Sequence, residues 1–170
     1  MEARLYPSLD VSQDLLEVVD ANNTPLCIMN ARDVQLQQLP YRAVGLLARD
    51  RSGRTLLSRR PGIGWGISSF SRLRAGHAHE QLARELLRAD WRQEGQVLPL
   101  GLLPPGPALH AFIYLYEARI PAWLAADAAR DAGNHMLVDY DELRGLGTHF
   151  GDLLSPVLRS AVQAGLVRPR

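Results

Sequence analysis

The chain is 170 residues long, with 46% apolar and 22% charged residues, and its 19 basic and 18 acidic side chains leave a net charge of +1. That is the length of one domain with enough apolar sequence for a core, and the near balance excludes bulk attraction to nucleic acid or to an anionic membrane. Every basic residue is arginine. The lone cysteine, Cys27, excludes an intramolecular disulfide, fits a reducing compartment and reads as a small buried residue. No apolar run approaches the ~20 residues of a membrane span. Residues 1–10 lack the apolar core of a signal peptide. A cytoplasmic location is the expectation.

Residues 1–14 read as a leader and residues 15–170 as one domain. Residues 15–19 and 26–29 are short strands around the turn-forming cluster 20–25. Residues 31–38 have helical character and stop before Pro40. Residues 41–49 and 54–60 predict a hairpin around Asp50-Arg51-Ser52-Gly53. A Gly- and Ser-rich loop, 61–76, leads into the clearest helix, 77–91, where Leu82, Leu86 and Ala89 recur at helical spacing. Strands follow at 97–103 and 110–120, then a short helix or Ala-rich loop at 122–131 and a strand at 136–139. A helical turn at 141–146 and a closing helix at 150–164 complete the chain. Mixed strands with interleaved helices make this an α/β chain.

The hairpin 41–60, the loop Trp65-Gly66-Ile67-Ser68-Ser69-Phe70 and the helix segment Ala83-Arg84-Glu85-Leu86-Leu87 come in a telling order. A long strand, a short strand, Tyr140-Asp141-Glu142-Leu143 and an aromatic-led closing helix come after them. Together they resemble the Nudix hydrolase superfamily over about residues 15–165. The opening segment, 15–44, is similar to the isopentenyl-diphosphate-isomerase-like branch. The resemblance implies an α/β/α sandwich, with a mixed sheet flanked by helices, and a homodimer. In that family a loop leads into a helix whose glutamates converge on Mg²⁺ or Mn²⁺, which neutralises a diphosphate and activates water.

The family motif ends Arg-Glu-hydrophobic-x-Glu-Glu-x-Gly. Matching Arg84-Glu85-Leu86 to its start puts Arg88 and Ala89 at the paired glutamates, Gly76 at the upstream glutamate and Trp91 at the closing glycine. Sliding by one residue puts His77 upstream and Ala89 and Asp90 at the pair. The first register is preferred, because Arg-Glu-Leu matches outright. Either way one carboxylate stays at a motif position, Glu85 or Asp90, and these two are the residual catalytic candidates. One carboxylate does not make a metal site, so no metal ligand and no cofactor are assigned. Arg88 reads as a built-in cation in place of the metal, paired with Glu85 on the helix surface. The isomerase chemistry is not matched either: Phe70 and Arg72 stand in the loop that should carry its cysteine, and Tyr41 replaces its histidine.

Arg59, Arg60, Arg72 and Arg74 flank the expected cleft and either bind a phosphate or a nucleotide or are solvated loop arginines. Trp65 and Phe70 either stack on a ligand or pack in the core, with core packing preferred. His77, His79 and Glu80 read as surface residues of a helix start rather than a metal cluster. His110, Tyr114 and Tyr116 alternate on the long strand and are expected to share a face. The expected function is a Nudix-fold pseudoenzyme with a degenerate active site, not an efficient hydrolase, that binds a phosphorylated small molecule or acts as an interaction module. An interaction surface would lie at Leu86 or residues 100–103. The alternative is a divergent hydrolase of nucleoside-diphosphate-linked substrates, using Mg²⁺ or Mn²⁺ with ligands from outside the motif; Glu117 is then the further candidate beside Glu85 and Asp90.

Overall fold

The computed structural model describes residues 14–169. Residues 1–13 of the expected leader, 1–14, lie outside them; its last residue, Asp14, pairs through its carboxylate with Arg74 at 2.9 Å, and its carbonyl accepts the Ala31 N–H. The first half of the chain runs β1 (Leu15–Val19), β2 (Pro25–Asn30), α1 (Ala31–Leu36), β3 (Tyr41–Arg49), β4 (Thr55–Arg60), β5 (Gly64–Gly66), β6 (Ser69–Arg72) and α2 (His79–Trp91). The second half runs β7 (Val97–Leu103), β8 (Ala111–Arg119), α3 (Ala122–Ala129), β9 (His135–Val138), α4 (Tyr140–His149) and α5 (Pro156–Gln163).

The centre is β3 paired in parallel with β8, in register from Tyr41↔Ala111 to Arg49↔Arg119. β7 adds to the far side of β8 in antiparallel. Because helices cover both faces, β3 is apolar almost throughout, as a doubly covered strand requires. Ala43 and Leu47 face α1, α4 and α5, while Val44, Leu46 and Ala48 face α2 and α3. This is the expected α/β/α sandwich. Among the described residues no helix is long and apolar enough to cross a membrane.

The β3–β4 hairpin is shorter than its sequence predicts. Only Ala48↔Leu56 and Arg49↔Thr55 pair before the strands diverge. β6 then pairs with β3, β5 pairs with β4, and β9 borders β4 on its other side. Ser68 stands in the fork: its hydroxyl accepts the Ala48 N–H at 2.7 Å and donates to the Leu56 carbonyl at 2.5 Å. The segment 61–76, expected as loop, therefore contributes two short strands, too short for a period to show in sequence.

Other expectations change for local reasons. Cys27 is exposed, because β2 belongs to a two-stranded hairpin in which β1 supplies the buried Leu16 and Val18. The closing helix starts at Pro156 rather than 150. Ser155 caps it by accepting the Leu158 N–H, Pro156 occupies its first turn, and a 3-10 turn, Gly151–Leu153, precedes it. α4 extends to His149 behind a capping box between Asp139 and Glu142.

Candidate functional site

The fork opens into a cleft of about 770 Å³ between the strand ends and α2. β4 and β6 supply Arg59, Arg60, Phe70 and Arg72 to its lining, and Arg74 follows β6. α2 supplies Glu85, Leu86 and Asp90 from the opposite side. The helix is placed by Ala83, Leu87 and Trp91, which recur at every fourth residue and are all buried against the sheet. Trp91 is pinned further: its indole N–H donates to the Ser69 hydroxyl at 3.0 Å. Both residual carboxylates, Glu85 and Asp90, thus reach one cleft, whichever motif register is chosen.

The donor set was tested against a divalent ion. Among the described residues no three of His, Cys, Asp and Glu lie close enough together to hold one. The cleft carboxylates are dispersed and partly engaged: Glu85 accepts from Gln81 at 2.9 Å, Asp131 from Asn134 at 2.8 Å, and Asp14 is paired with Arg74. Hard cations of this size need several convergent oxygens. The described residues do not fit that requirement.

A second cavity, about 530 Å³, opens between α1, the loop 107–110 and the start of α5. Arg60 and Phe70 line both spaces. Tyr41 lines the second one and is almost fully buried. Burial pushes its phenol above the ordinary range, and the Arg72 guanidinium nearby partly opposes this.

A mixed sheet forked at one end, a single helix laid across the fork and helices behind it are now in place. The fold is that of Nudix proteins. DR0079 from Deinococcus radiodurans superposes with a TM-score of 0.67, over 89% of this chain and 98% of its own, at 20% identity. A mutT/nudix family protein from Listeria innocua superposes with a TM-score of 0.53, over 74% of this chain and 92% of its own, also at 20% identity. At such identity the likeness is one of fold. No family model matches the sequence, and no curated protein is significantly similar to it.

On this Nudix-type frame, the site residues expected from sequence separate into two groups. Arg59, Arg60, Phe70 and Arg72 come together in the cleft, with Arg74 beside them. Trp65 does not line it; the ring packs against the core, with the Arg59 guanidinium 5.9 Å from its centroid. Arg88 is also outside the lining and is mostly exposed. It pairs with Glu94 at 3.3 Å rather than with Glu85, so it is not a cation in the metal's place. The cause is angular: the buried stripe turns position 88 away from the cleft that positions 85 and 89 face. Glu117 is buried at the other end of the sheet, 3.5 Å from Arg49, and is no cleft ligand.

His77 lines the cleft edge, but His79 does not join it. Its ring stacks on Tyr114 at 4.0 Å, and its Nδ1 is hydrogen-bonded to the Tyr116 hydroxyl at 2.5 Å. Burial raises the Tyr116 phenol, and Glu80 and Tyr114 add to the effect. Tyr114 and Tyr116 thus share a face, as expected, and that face meets α2, while His110 lines the second cavity instead. Sequence reasoning missed Ser58 and His135, whose Oγ and Nδ1 lie 3.4 Å apart in the cleft lining. His135 arrives from β9, remote in sequence, and no local motif marks it.

Proposed function

We propose that this protein binds a phosphorylated small molecule in the cleft without a divalent ion, on a Nudix-type fold whose metal-binding motif is degenerate. In this reading the β1–β2 hairpin keeps the chain beside the isopentenyl-diphosphate-isomerase-like branch, without that chemistry. The observation that carries it is the meeting of Arg59, Arg60 and Arg72 in one cleft where, among the described residues, no three metal-binding side chains gather. Guanidinium groups bind phosphate oxygens by paired, charge-assisted hydrogen bonds and need no metal to do so. Phe70 supplies an aromatic wall between the two cavities. Glu85 and Asp90, on the opposite side, repel an anion and so direct it toward the arginines.

The test is calorimetric titration with inorganic pyrophosphate, in chelator and again in Mg²⁺. Binding should persist in chelator and weaken about tenfold or more in Arg60→Gln and Arg72→Gln, the loss expected for a charged hydrogen bond. Binding that requires Mg²⁺ and disappears in Glu85→Gln would refute the proposal. Mg²⁺-dependent turnover of nucleoside-diphosphate-linked compounds, lost in the same variant, would establish the hydrolase reading instead.

A further inference from the structure

We infer, resting on the phosphate reading above, that His135 is a fourth anion-binding group of the cleft and binds in its protonated form, so that the protein takes up a proton with its ligand.

Strand register brings His135 to the arginines. β9 pairs with β4 so that Ser58 lies opposite His135. Ser58 and Arg60, two residues apart on β4, belong to one face of the sheet. The diagonal neighbour of a cross-strand pair is roughly 7–8 Å away, so His135 sits diagonally from Arg60 on that face. Both side chains line the cleft. A cationic imidazole and a guanidinium so placed close on one phosphate group from two sides.

The ring is held on two sides as well. The Trp91 indole meets it edge to face, with centroids 5.8 Å apart, and Trp91 is itself fixed by Ser69. Its Nδ1 lies 3.4 Å from the Oγ of the buried Ser58. That hydroxyl donates its hydrogen to the Ser68 carbonyl at 3.1 Å, so toward the ring it only accepts. A proton on Nδ1 suits this contact, and Nε2 is then the atom whose protonation changes the charge of the ring.

Histidine is the side chain whose charge ordinarily changes near neutral pH, and a neighbouring anion favours its charged form. The arginines of the cleft, Arg59 and Arg60 on β4 and Arg72 on β6, are charged throughout. Glu85 and Asp90 on α2, Asp131 before β9 and the Arg74-paired Asp14 add carboxylates, a class that ordinarily ionises at lower pH. His77, at the cleft edge, is the competing source of a proton-linked effect.

The experiment titrates the full chain calorimetrically, in chelator, with inorganic pyrophosphate and with sulfate, whose charge is constant across the histidine range. Sulfate affinity should rise roughly tenfold as the pH falls from about 8 to about 5, the effect of one charge-assisted hydrogen bond. Heats compared between buffers of different ionisation enthalpy should show proton uptake on binding. Both effects should disappear in His135→Gln, with an unchanged melting temperature showing that the variant folds. The unmodified protein gives an independent reading: the His135 ring signal in NMR spectra, assigned through its contact with the Trp91 indole, should titrate at higher pH in saturating sulfate. Binding with a flat pH profile, a profile unchanged in folded His135→Gln, or a ring signal that titrates identically with and without sulfate would overturn the inference and leave the arginine cleft standing. So would a pH dependence lost in His77→Gln and kept in His135→Gln. If neither anion binds at any pH, the phosphate reading falls with it.

Discussion

Tyr41 shows how much one residue's surroundings decide. Its sequence position reads as the first residue of a strand, where a tyrosine is ordinary. In the fold it lies under the second cavity with Arg72 nearby, and burial holds its phenol above the usual value of 10.0. The linkage sign follows directly. A raised folded value means that the stability contribution is fully present below pH 10.0 and is lost as the pH climbs through the folded value. Denaturant unfolding measured across the alkaline range should show this loss, and Tyr41→Phe should abolish that part of it. An alkaline limb identical in the variant would contradict the assignment. Asp20 runs the other way: the Thr24 N–H holds its exposed carboxylate below the ordinary value of 3.8, opposed in part by desolvation and helped by the Asn22 N–H.

Among the elements, α2 was the most legible. Apolar residues at helical spacing placed it correctly to within two residues at its start, because that period is a local property of the chain. Its end, at Trp91, falls where the sequence put it. Arg92 closes the helix in the left-handed region at φ 50°, where an L side chain is strained and glycine is not. Arg92→Gly should therefore stabilise the protein by about 0.5–1 kcal/mol, read as a higher urea midpoint at constant slope. A lower midpoint would show that the Arg92 side chain contributes more than its backbone costs. The β3–β4 hairpin was less legible. Short apolar runs and the Asp50–Gly53 turn locate both strands, but the divergence after two pairs depends on Ser68, which fills the fork from another segment.

At the scale of the molecule, the C-terminal segment closes the second cavity. It is held against β5 by the Ser155 N–H, which donates to the Trp65 carbonyl at 2.7 Å, and by a parallel bridge between Trp65 and Leu154. Gly64 permits that approach. Its φ is +105°, and a methyl group there would collide with the Leu153 carbonyl oxygen. Gly64→Ala should thus cost about 2–3 kcal/mol, from backbone strain plus displacement of the tail. A fall of roughly 4–12 °C in melting temperature is expected for a chain of this size. An unchanged melting point would show that the tail shifts without loss and is not packed as described.

The amino-acid sequence on its own determined the order of strands and helices. Periodicities of about two and 3.6 residues tell a strand from a helix and an inward face from an outward one, and they depend only on neighbours along the chain. It also showed how few carboxylates α2 could offer. Tertiary structure alone decided which arginines meet, that Arg88 and Glu117 stay away, that Cys27 is exposed, and that Arg60 and Phe70 line two cavities at once. Those outcomes depend on strand register, on the fork between β3 and β4 and on where the tail docks. Each is a contact between residues far apart in sequence, and no local pattern encodes it.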